Sequence, residues 1–213
     1  MTRAKICGIR DAGARNVAVA AGADAVGFVV EIPRSKRCIG REEARRLIGG
    51  LPPFVSSVIV TEPESAAEAA KLALDTGADV IQVNDTLSFD DLAALKEMVP
   101  QRIVATVPAS SGMFDRARRL AEVADALLVD SFEAGKLGGT GTVHDWNLSA
   151  DLVREIDLPV ILAGGLGPEN VADAIAAVRP YAVDVSSGVE TDGTKDPAKI
   201  EAFLKEVKSC RQP

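Results

Sequence analysis

One rhythm constrains the fold of this chain more than any other feature: short apolar runs alternate with alanine-rich helical segments eight times in 213 residues. The runs predict strands at residues 4–9, 25–30, 55–60, 80–83, 102–107, 126–130, 159–163 and 181–185. The segments between them predict helices at residues 11–21, 41–48, 63–74, 89–98, 114–123, 148–156, 168–178 and 197–207. Because the runs are apolar throughout, they are typical of parallel strands that are covered on both faces.

Eight strand–helix units in order predict an α/β fold, a (β/α)₈ TIM barrel with short loops. A doubly wound open sheet is the alternative, but the first strand–helix turn lacks the G-x-G-x-x-G pattern of dinucleotide-binding sheets. No linker or change of composition divides the chain. We therefore expect residues 1–213 to form a single barrel domain.

Composition and charge exclude several classes of protein. The net charge of −7 disfavours a nonspecific nucleic-acid binder, and no apolar run is as long as a membrane span. The first residues, 1–5, lead directly into a strand, so we expect no signal peptide. Three separated cysteines (Cys7, Cys38 and Cys210) indicate reduced thiols, and a lone histidine, His144, offers too few ligands for zinc. The sequence predicts a cytoplasmic protein without a metal.

Candidate functional residues follow the strands, because the active site of such a barrel lies at the carboxyl ends of its strands. Polar and reactive residues stand at most of these ends: Cys7, Arg34, Lys36, Arg37, Thr61, Glu62, Gln82, Asn84, Asp85 and Asp130.

Two turns of small residues, Gly164-Gly165 and Ser186-Ser187-Gly188, follow the seventh and eighth predicted strands. Either turn alone is more often just a tight turn. Two of them on adjacent strands predict a phosphate site, because small residues let an anion approach backbone N–H groups closely.

The other candidates each have a structural alternative. Cys7 alone is as compatible with a small buried hydrophobic residue as with a reactive thiol, Asp130 with a turn cap, and Arg37 with a solvated loop charge. The segment 138–142 is either a lid or a second phosphate loop, without the ending of a P-loop. His144 is best interpreted as a packing residue, since no nucleophile motif accompanies it.

Several motifs together resemble one known family. They are Lys5-Ile6-Cys7-Gly8-Ile9-Arg10, Gly22-Ala23-Asp24-Ala25-Val26-Gly27-Phe28-Val29, Ser35-Lys36-Arg37, Asp79-Val80-Ile81-Gln82-Val83, Gly138-Gly139-Thr140-Gly141, Asp145-Trp146, Pro159 to Leu166, Pro168-Glu169-Asn170-Val171, Val183 to Glu190 and Lys195-Asp196-Pro197. In this order, over essentially the whole chain, they resemble the phosphoribosylanthranilate isomerases.

The resemblance implies an Amadori rearrangement in tryptophan biosynthesis, from the aminoaldose N-(5-phosphoribosyl)anthranilate to its aminoketose. Carried over, Cys7 is the general base and Asp130 the general acid. Arg37 holds the anthranilate carboxylate, and Gln82 contacts the substrate. The phosphate is bound by Gly164, Gly165, Ser186, Ser187 and Gly188. The resemblance implies no cofactor, a small phosphoribosyl substrate as partner, and a monomer or homodimer.

Two chemical requirements follow from these roles. The pKa of Cys7 has to lie near or below that of an ordinary thiol, and Lys5, Arg37 or a helix N-terminus is a candidate cause. The pKa of Asp130 has to be raised, by burial or by substrate phosphate.

The chain departs from the family pattern at Asn84-Asp85, at residues 31–34, at Gly167 and at residues 142–144. These departures concern the contacts with anthranilate and the behaviour of a lid. A histidine-pathway aminoaldose isomerase, usually with aspartate at the position of Cys7, and a catalytically silent phosphate-binding barrel are the competing interpretations.

Overall fold

A closed ring of parallel strands is the centre of the computed structural model, which describes residues 1–110, 112–130 and 145–210. Over these residues, eight strands pair in parallel, each with the next along the chain, and the first also pairs with the last. They are β1 (Arg3–Ile6), β2 (Ala25–Val30), β3 (Ser56–Thr61), β4 (Val80–Val83), β5 (Arg102–Pro108), β6 (Ala126–Asp130), β7 (Val160–Leu162) and β8 (Ala182–Val185). The predicted TIM barrel is confirmed.

Helices follow the strands in turn and cover the outside of the ring. They are α1 (Ala12–Ala21), α2 (Arg41–Ile48), α3 (Ala66–Thr76), α4 (Phe89–Met98), α5 (Met113–Leu120), α6 (Trp146–Glu155), α7 (Val171–Val178) and α8 (Pro197–Ser209). None of these described helices is long and apolar enough to cross a membrane.

The apolar core has two layers because strand residues alternate between two faces. Leu127 and Val129 of β6 face the main core between strands and helices, where Phe28 and Phe203 are also fully buried. Leu128, on the other face of β6, packs inside the barrel in a smaller cluster of Val104, Ala126, Leu128 and Ala163.

Three aspartates stabilise the end of the barrel where the strands begin. Asp24, Asp79 and Asp125 each precede an even-numbered strand and accept a hydrogen bond from the backbone N–H at the start of the strand before it. The bonds measure 2.8, 2.8 and 2.9 Å. The repeated Gly-Ala-Asp sequence at 22–24 and 77–79 therefore has a structural role at the N-terminal face.

Two predicted helix starts at proline are wrong. Helix α3 begins at Ala66 rather than at residue 63, because the side chain of Ser65 caps the N–H of Glu68. Helix α7 begins at Val171, so Pro168 does not stand at its first position. The turn that contains Pro168 is held instead by the side chain of Asn170.

The first strand is shorter than predicted. It ends at Ile6, and the chain then turns so that the N–H groups of Gly8 and Ile9 both donate to the carbonyl of Gly27, at 2.9 Å each. Cys7 thus lies immediately after β1. Two further features were not predicted: a two-residue strand, Cys38–Ile39, and an antiparallel hairpin formed by Glu190–Thr191 and Thr194–Lys195.

Candidate active site

The carboxyl ends of the strands enclose a cavity of about 120 Å³. It brings together all but one of the residues to which the family resemblance assigns a role: Cys7, Arg37, Gln82, Asp130, Gly164, Gly165, Ser186 and Ser187. The exception, Gly188, directly follows Ser187 and packs against the neighbouring loop, where an added Cβ would lie 1.9 Å from the carbonyl oxygen of Leu166. Of the other candidates at the strand ends, Asn84 also lines it, whereas Arg34, Lys36, Thr61, Glu62 and Asp85 do not.

Cys7 is buried at the first strand end of this cavity, with 7% of its surface exposed. Its N–H donates to the carbonyl of Val185 at 2.8 Å, and its carbonyl accepts from Oγ of Ser186 at 3.2 Å. Val29, Ile32 and Val60 pack with it as an apolar cluster apart from the main core. The site therefore has an apolar wall beside the thiol, suited to a flat aromatic ring.

Inside the barrel, near the thiol, a lysine of β1 bonds to side chains on two other strands, β4 and β8. Nζ of Lys5 donates to Oε1 of Gln82 at 2.7 Å and to Oδ2 of Asp184 at 2.9 Å. Lys5 lies opposite Asp184 in the parallel pairing of β1 with β8, and both side chains are at least nine-tenths buried. Asp184 was not predicted as a site residue, although an aspartate within the apolar strand 181–185 was a usable signal.

Burial is the largest cause of the shift in the pKa of the thiol. It raises the pKa of Cys7, and the negative charge of Asp184 adds to this, while the cations Lys5, Lys195 and Arg37 act in the lowering direction without cancelling it. The expected lowering of the Cys7 pKa is therefore wrong. Burial opposes the charge on Lys5 too, but Asp184 and Cys7 outweigh it, so the pKa of Lys5 is raised.

Arg37 is not a solvated loop charge, since only 8% of its surface is exposed. Its Nε and Nη2 atoms donate to the two carboxylate oxygens of Glu190, at 2.7 and 2.8 Å. Lys195 also donates to Glu190, at 2.9 Å. Burial alone would raise the pKa of Glu190, but the bonds from Arg37 and Lys195 lower it to about 2. Glu190 fixes the direction of the Arg37 guanidinium.

Asp130 ends β6, three strands away from β1 around the ring, and its half-buried side chain lines the cavity. The strand that carries it is held in register by pairing with β5 and β7. The structure thus places a carboxyl group and a thiol at well-separated positions around one mouth.

The turns after β7 and β8 present unused backbone donors. Gly164 and Gly165 adopt φ angles of 86° and 63°, which favour glycine. The side chain of Asn170 holds this turn: its Nδ2 donates to the carbonyl of Gly165 and its Oδ1 accepts from the N–H of Gly167, at 2.9 Å each. Within the described residues, the N–H groups of Gly165, Ser187 and Gly188 donate to no protein group. Such donors suit an anion.

Asn84, at a position that departs from the family pattern, belongs to a polar network at the mouth. Its Oδ1 accepts from Thr106 at 3.1 Å and its Nδ2 donates to Glu62 at 3.2 Å. The other predicted features at this face, the segment 138–142 and His144, lie outside the described residues. Across the part of the chain that is described, no group of three or more His, Cys, Asp or Glu side chains is arranged to hold a metal ion.

A larger cavity, of about 550 Å³, lies at the opposite end of the barrel. Residues at the starts of the strands line it, together with Phe54 and Tyr181, which are exposed. Lys5 borders this cavity, whereas its partners Gln82 and Asp184 line the smaller one. Lys5 therefore separates the two.

Comparison with known proteins agrees with this geometry. The family profile described as N-(5'phosphoribosyl)anthranilate (PRA) isomerase matches residues 4–206. The N-(5'-phosphoribosyl)anthranilate isomerase of Methanothrix thermoacetophila is 51% identical over 211 residues, which cover 99% of this chain and 100% of the relative. That of Haloferax volcanii is 45% identical over 213 residues, 99% of this chain and 95% of the relative.

Solved structures show the same likeness. Phosphoribosyl anthranilate isomerase from Thermotoga maritima superposes with a TM-score of 0.87 at 37% identity, covering 98% of this chain and 100% of the other. A phosphoribosyl anthranilate isomerase in complex with reduced 1-(o-carboxyphenylamino)-1-deoxyribulose 5-phosphate gives 0.84 at 36% identity, with the same coverage. A further structure concerns monomers generated from the dimeric Thermotoga maritima protein.

Proposed function

Since the chain belongs to the phosphoribosylanthranilate isomerase family, aldose–ketose isomerases of tryptophan biosynthesis, we propose that the 120 Å³ cavity carries out that reaction with Cys7 as general base and Asp130 as general acid. The substrate is N-(5'-phosphoribosyl)anthranilate. The product is 1-(2-carboxyphenylamino)-1-deoxyribulose 5-phosphate. One observation carries the proposal: the thiol, the carboxyl group and the residues of two unused N–H donors, Gly165 and Ser187, line a single cavity.

Asp130 acts first in the proposed sequence. It donates a proton to the furanose ring oxygen as the C1′–O bond breaks, which leaves an open-chain protonated Schiff base whose nitrogen keeps its hydrogen and carries a positive charge. A carboxyl group that donates at neutral pH has to be protonated there, and a doubly charged phosphate bound across the mouth favours the protonated form. The resulting aspartate then lies across the ring of strands from the base.

Cys7 acts second, on the Schiff base. Its thiolate takes the proton from C2′, the C–H electrons form the C1′–C2′ double bond, and the C=N electrons move to nitrogen to give an enolamine. Tautomerisation of the enolamine gives the ketone. Lys5, Lys195 and Arg37 stabilise the thiolate that this step needs, against the cost of burial.

The aryl end and the phosphate end of the substrate bind on different sides of the thiol. The aryl ring packs on Val29, Ile32 and Val60, and the free side of the Arg37 fork holds its carboxylate. Gln82 lies deep in the cavity and contacts the substrate next to Lys5. The ribose phosphate binds the turns 164–165 and 186–188 through backbone N–H groups.

The loss of anthranilate fluorescence on turnover tests the assignment in wild type, Cys7→Ser and Asp130→Asn. Each substitution removes one acid–base step, so kcat falls by about 10²–10⁴-fold. Full activity in either variant would refute the role of that residue. No turnover by the wild type would favour a silent phosphate-binding barrel.

The enzyme works in the cytoplasm, residues 1–213 form one domain, and the protein is a monomer or a homodimer that binds neither nucleic acid nor a membrane. Cell fractionation, a single cooperative unfolding transition and light scattering test them in turn.

A further inference from the structure

Asp184 has one carboxylate oxygen engaged and one unused. Oδ2 accepts the 2.9 Å bond from Lys5, while Oδ1 is buried and without a hydrogen-bond partner among the described residues. The side chain is 9% exposed and lines the cavity. A buried acceptor without a donor destabilises the fold, and such atoms are rare in native structures. A donor from outside the protein is the natural partner for this oxygen.

The location of Asp184 indicates which part of a ligand it faces. It lies on β8, two residues before Ser186 and the phosphate turn, and opposite Lys5 of β1. A Cβ at Gly27 would lie 2.9 Å from both Sγ of Cys7 and Cε of Lys5, so these two atoms lie within about 6 Å of each other. The carboxylate of Asp184, which Lys5 bonds, is therefore near Cys7. It lies on the side proposed for the sugar and phosphate, and not on the apolar wall proposed for the aryl ring.

We propose that Oδ1 of Asp184 accepts a hydrogen bond from the substrate hydroxyl on C2′, the carbon that Cys7 deprotonates, with Lys5 as the residue that positions it. This inference rests on the proposed function. The same hydroxyl loses its proton when the enolamine becomes the ketone: the O–H bond breaks, the C2′=O bond forms and C1′ gains a proton from the acid side or from water. An acceptor at this hydroxyl favours that change.

Two probes that differ only at C2′ test the contact. The ketone product has no donor there, whereas the reduced 1-(o-carboxyphenylamino)-1-deoxyribulose 5-phosphate carries a hydroxyl. Calorimetry gives the Kd of each, with both C2′ epimers of the reduced compound measured separately. In the wild type, at least one reduced epimer binds more tightly than the product; equal or weaker binding of both epimers would refute the inference without any variant.

The Asp184→Asn variant then lowers that preference for the reduced compound at least tenfold. The amide turns its oxygen toward Lys5 and places donor hydrogens where the hydroxyl had an acceptor. Asp173→Asn, an exposed substitution on α7, is the matched control and leaves the preference unchanged. A preference unchanged within twofold in Asp184→Asn would contradict the assignment.

A double variant guards against misfolding of the single one. Lys5→Met with Asp184→Leu removes both buried charges together, a replacement that buried ion pairs often tolerate. It shows the same loss of preference. A wild-type protein that turns over phosphoribosylanthranilate but shows no preference defeats this inference alone, whereas one that neither turns over substrate nor binds either probe defeats the proposed function.

Discussion

The two ends of the barrel differ in how their polar groups are used. At the N-terminal end the larger cavity is bordered by groups that satisfy one another: Arg102 pairs with Asp125 at 3.0 Å, and the Arg3 guanidinium lies 4.5 Å over the ring of Tyr181. At the C-terminal end the smaller cavity is lined by Asp184, whose Oδ1 has no partner among the described residues, and by Gly165 and Ser187, whose N–H groups donate to no protein group there. Unused polar groups, and not cavity volume, distinguish the end that is built for a ligand.

Lys5 lies at the boundary between the two ends, so its removal has the largest expected effect. Lys5→Met leaves Asp184 buried without its cation, and breaking such a pair costs about 3–5 kcal/mol of unfolding free energy. We expect kcat/KM to fall by about 10²-fold, because the thiolate loses the cation that stabilises it most. Urea unfolding and the fluorescence assay measure the two effects.

The exposed substitution Lys205→Met serves as the control for Lys5→Met. A Lys5→Met protein with wild-type stability and activity would show that the buried ion pair contributes to neither property. It would also contradict the difference between the two ends of the barrel.

The pH dependence of catalysis gives the next largest effect. Because burial and Asp184 raise the pKa of Cys7 above that of an ordinary thiol, the base is mostly protonated at pH 7. Below this pKa the rate falls about tenfold for each pH unit, so kcat/KM increases between pH 6 and pH 8. Lys5, Lys195 and Arg37 face the thiol and oppose the shift. Lys5→Met therefore moves the ascending limb to higher pH.

A pH series of kcat/KM on wild type and Lys5→Met checks this. A flat profile in the wild type over this range would mean that the catalytic base is already ionised and that burial does not control it.

Glu190→Gln is expected to act on binding more than on chemistry. Glu190 holds Nε and Nη2 of Arg37, so the neutral amide leaves the guanidinium less well oriented toward the substrate carboxylate. We expect KM to rise about tenfold with kcat changed less than threefold, as for the loss of about 1.4 kcal/mol of binding energy that is equal in ground and transition states. Steady-state kinetics separates the two constants, and Glu201→Gln on α8 is the control. A fall in kcat with KM unchanged would contradict a positioning role.

The sequence predicted the ring and its mouth because both follow from local pattern. Apolar runs predict buried parallel strands, and the barrel rule then places Cys7 and Asp130 at one face. Contacts between distant residues were beyond that reasoning. Lys5 meets Asp184 across 179 positions only because β8 closes on β1 in one register. The pKa direction of Cys7 was wrongly predicted for the same reason, since the burial of this side chain is a property of the folded ring.

Local geometry also limited the prediction where two signals competed. Proline at 168 favours a helix start, but Asn170 bonds back to Gly165 and Gly167 and delays the helix to Val171. The same side chain thereby shapes the turn proposed for phosphate. A rule that considers one residue at a time does not weigh a proline against a side chain that spans the turn.

The smallest expected effect concerns a substitution at the N-terminal end of the barrel. Phe54 borders the large N-terminal cavity and is 97% exposed. Phe54→Ser removes apolar surface there without touching Lys5 or its partners, and exposed substitutions usually change stability by no more than about 0.5 kcal/mol. We expect kcat/KM to stay within twofold of wild type, measured alongside Lys5→Met in the same assay. A loss above fivefold would mean that the large cavity is coupled to catalysis, since no polar group of the C-terminal mouth is altered by this change.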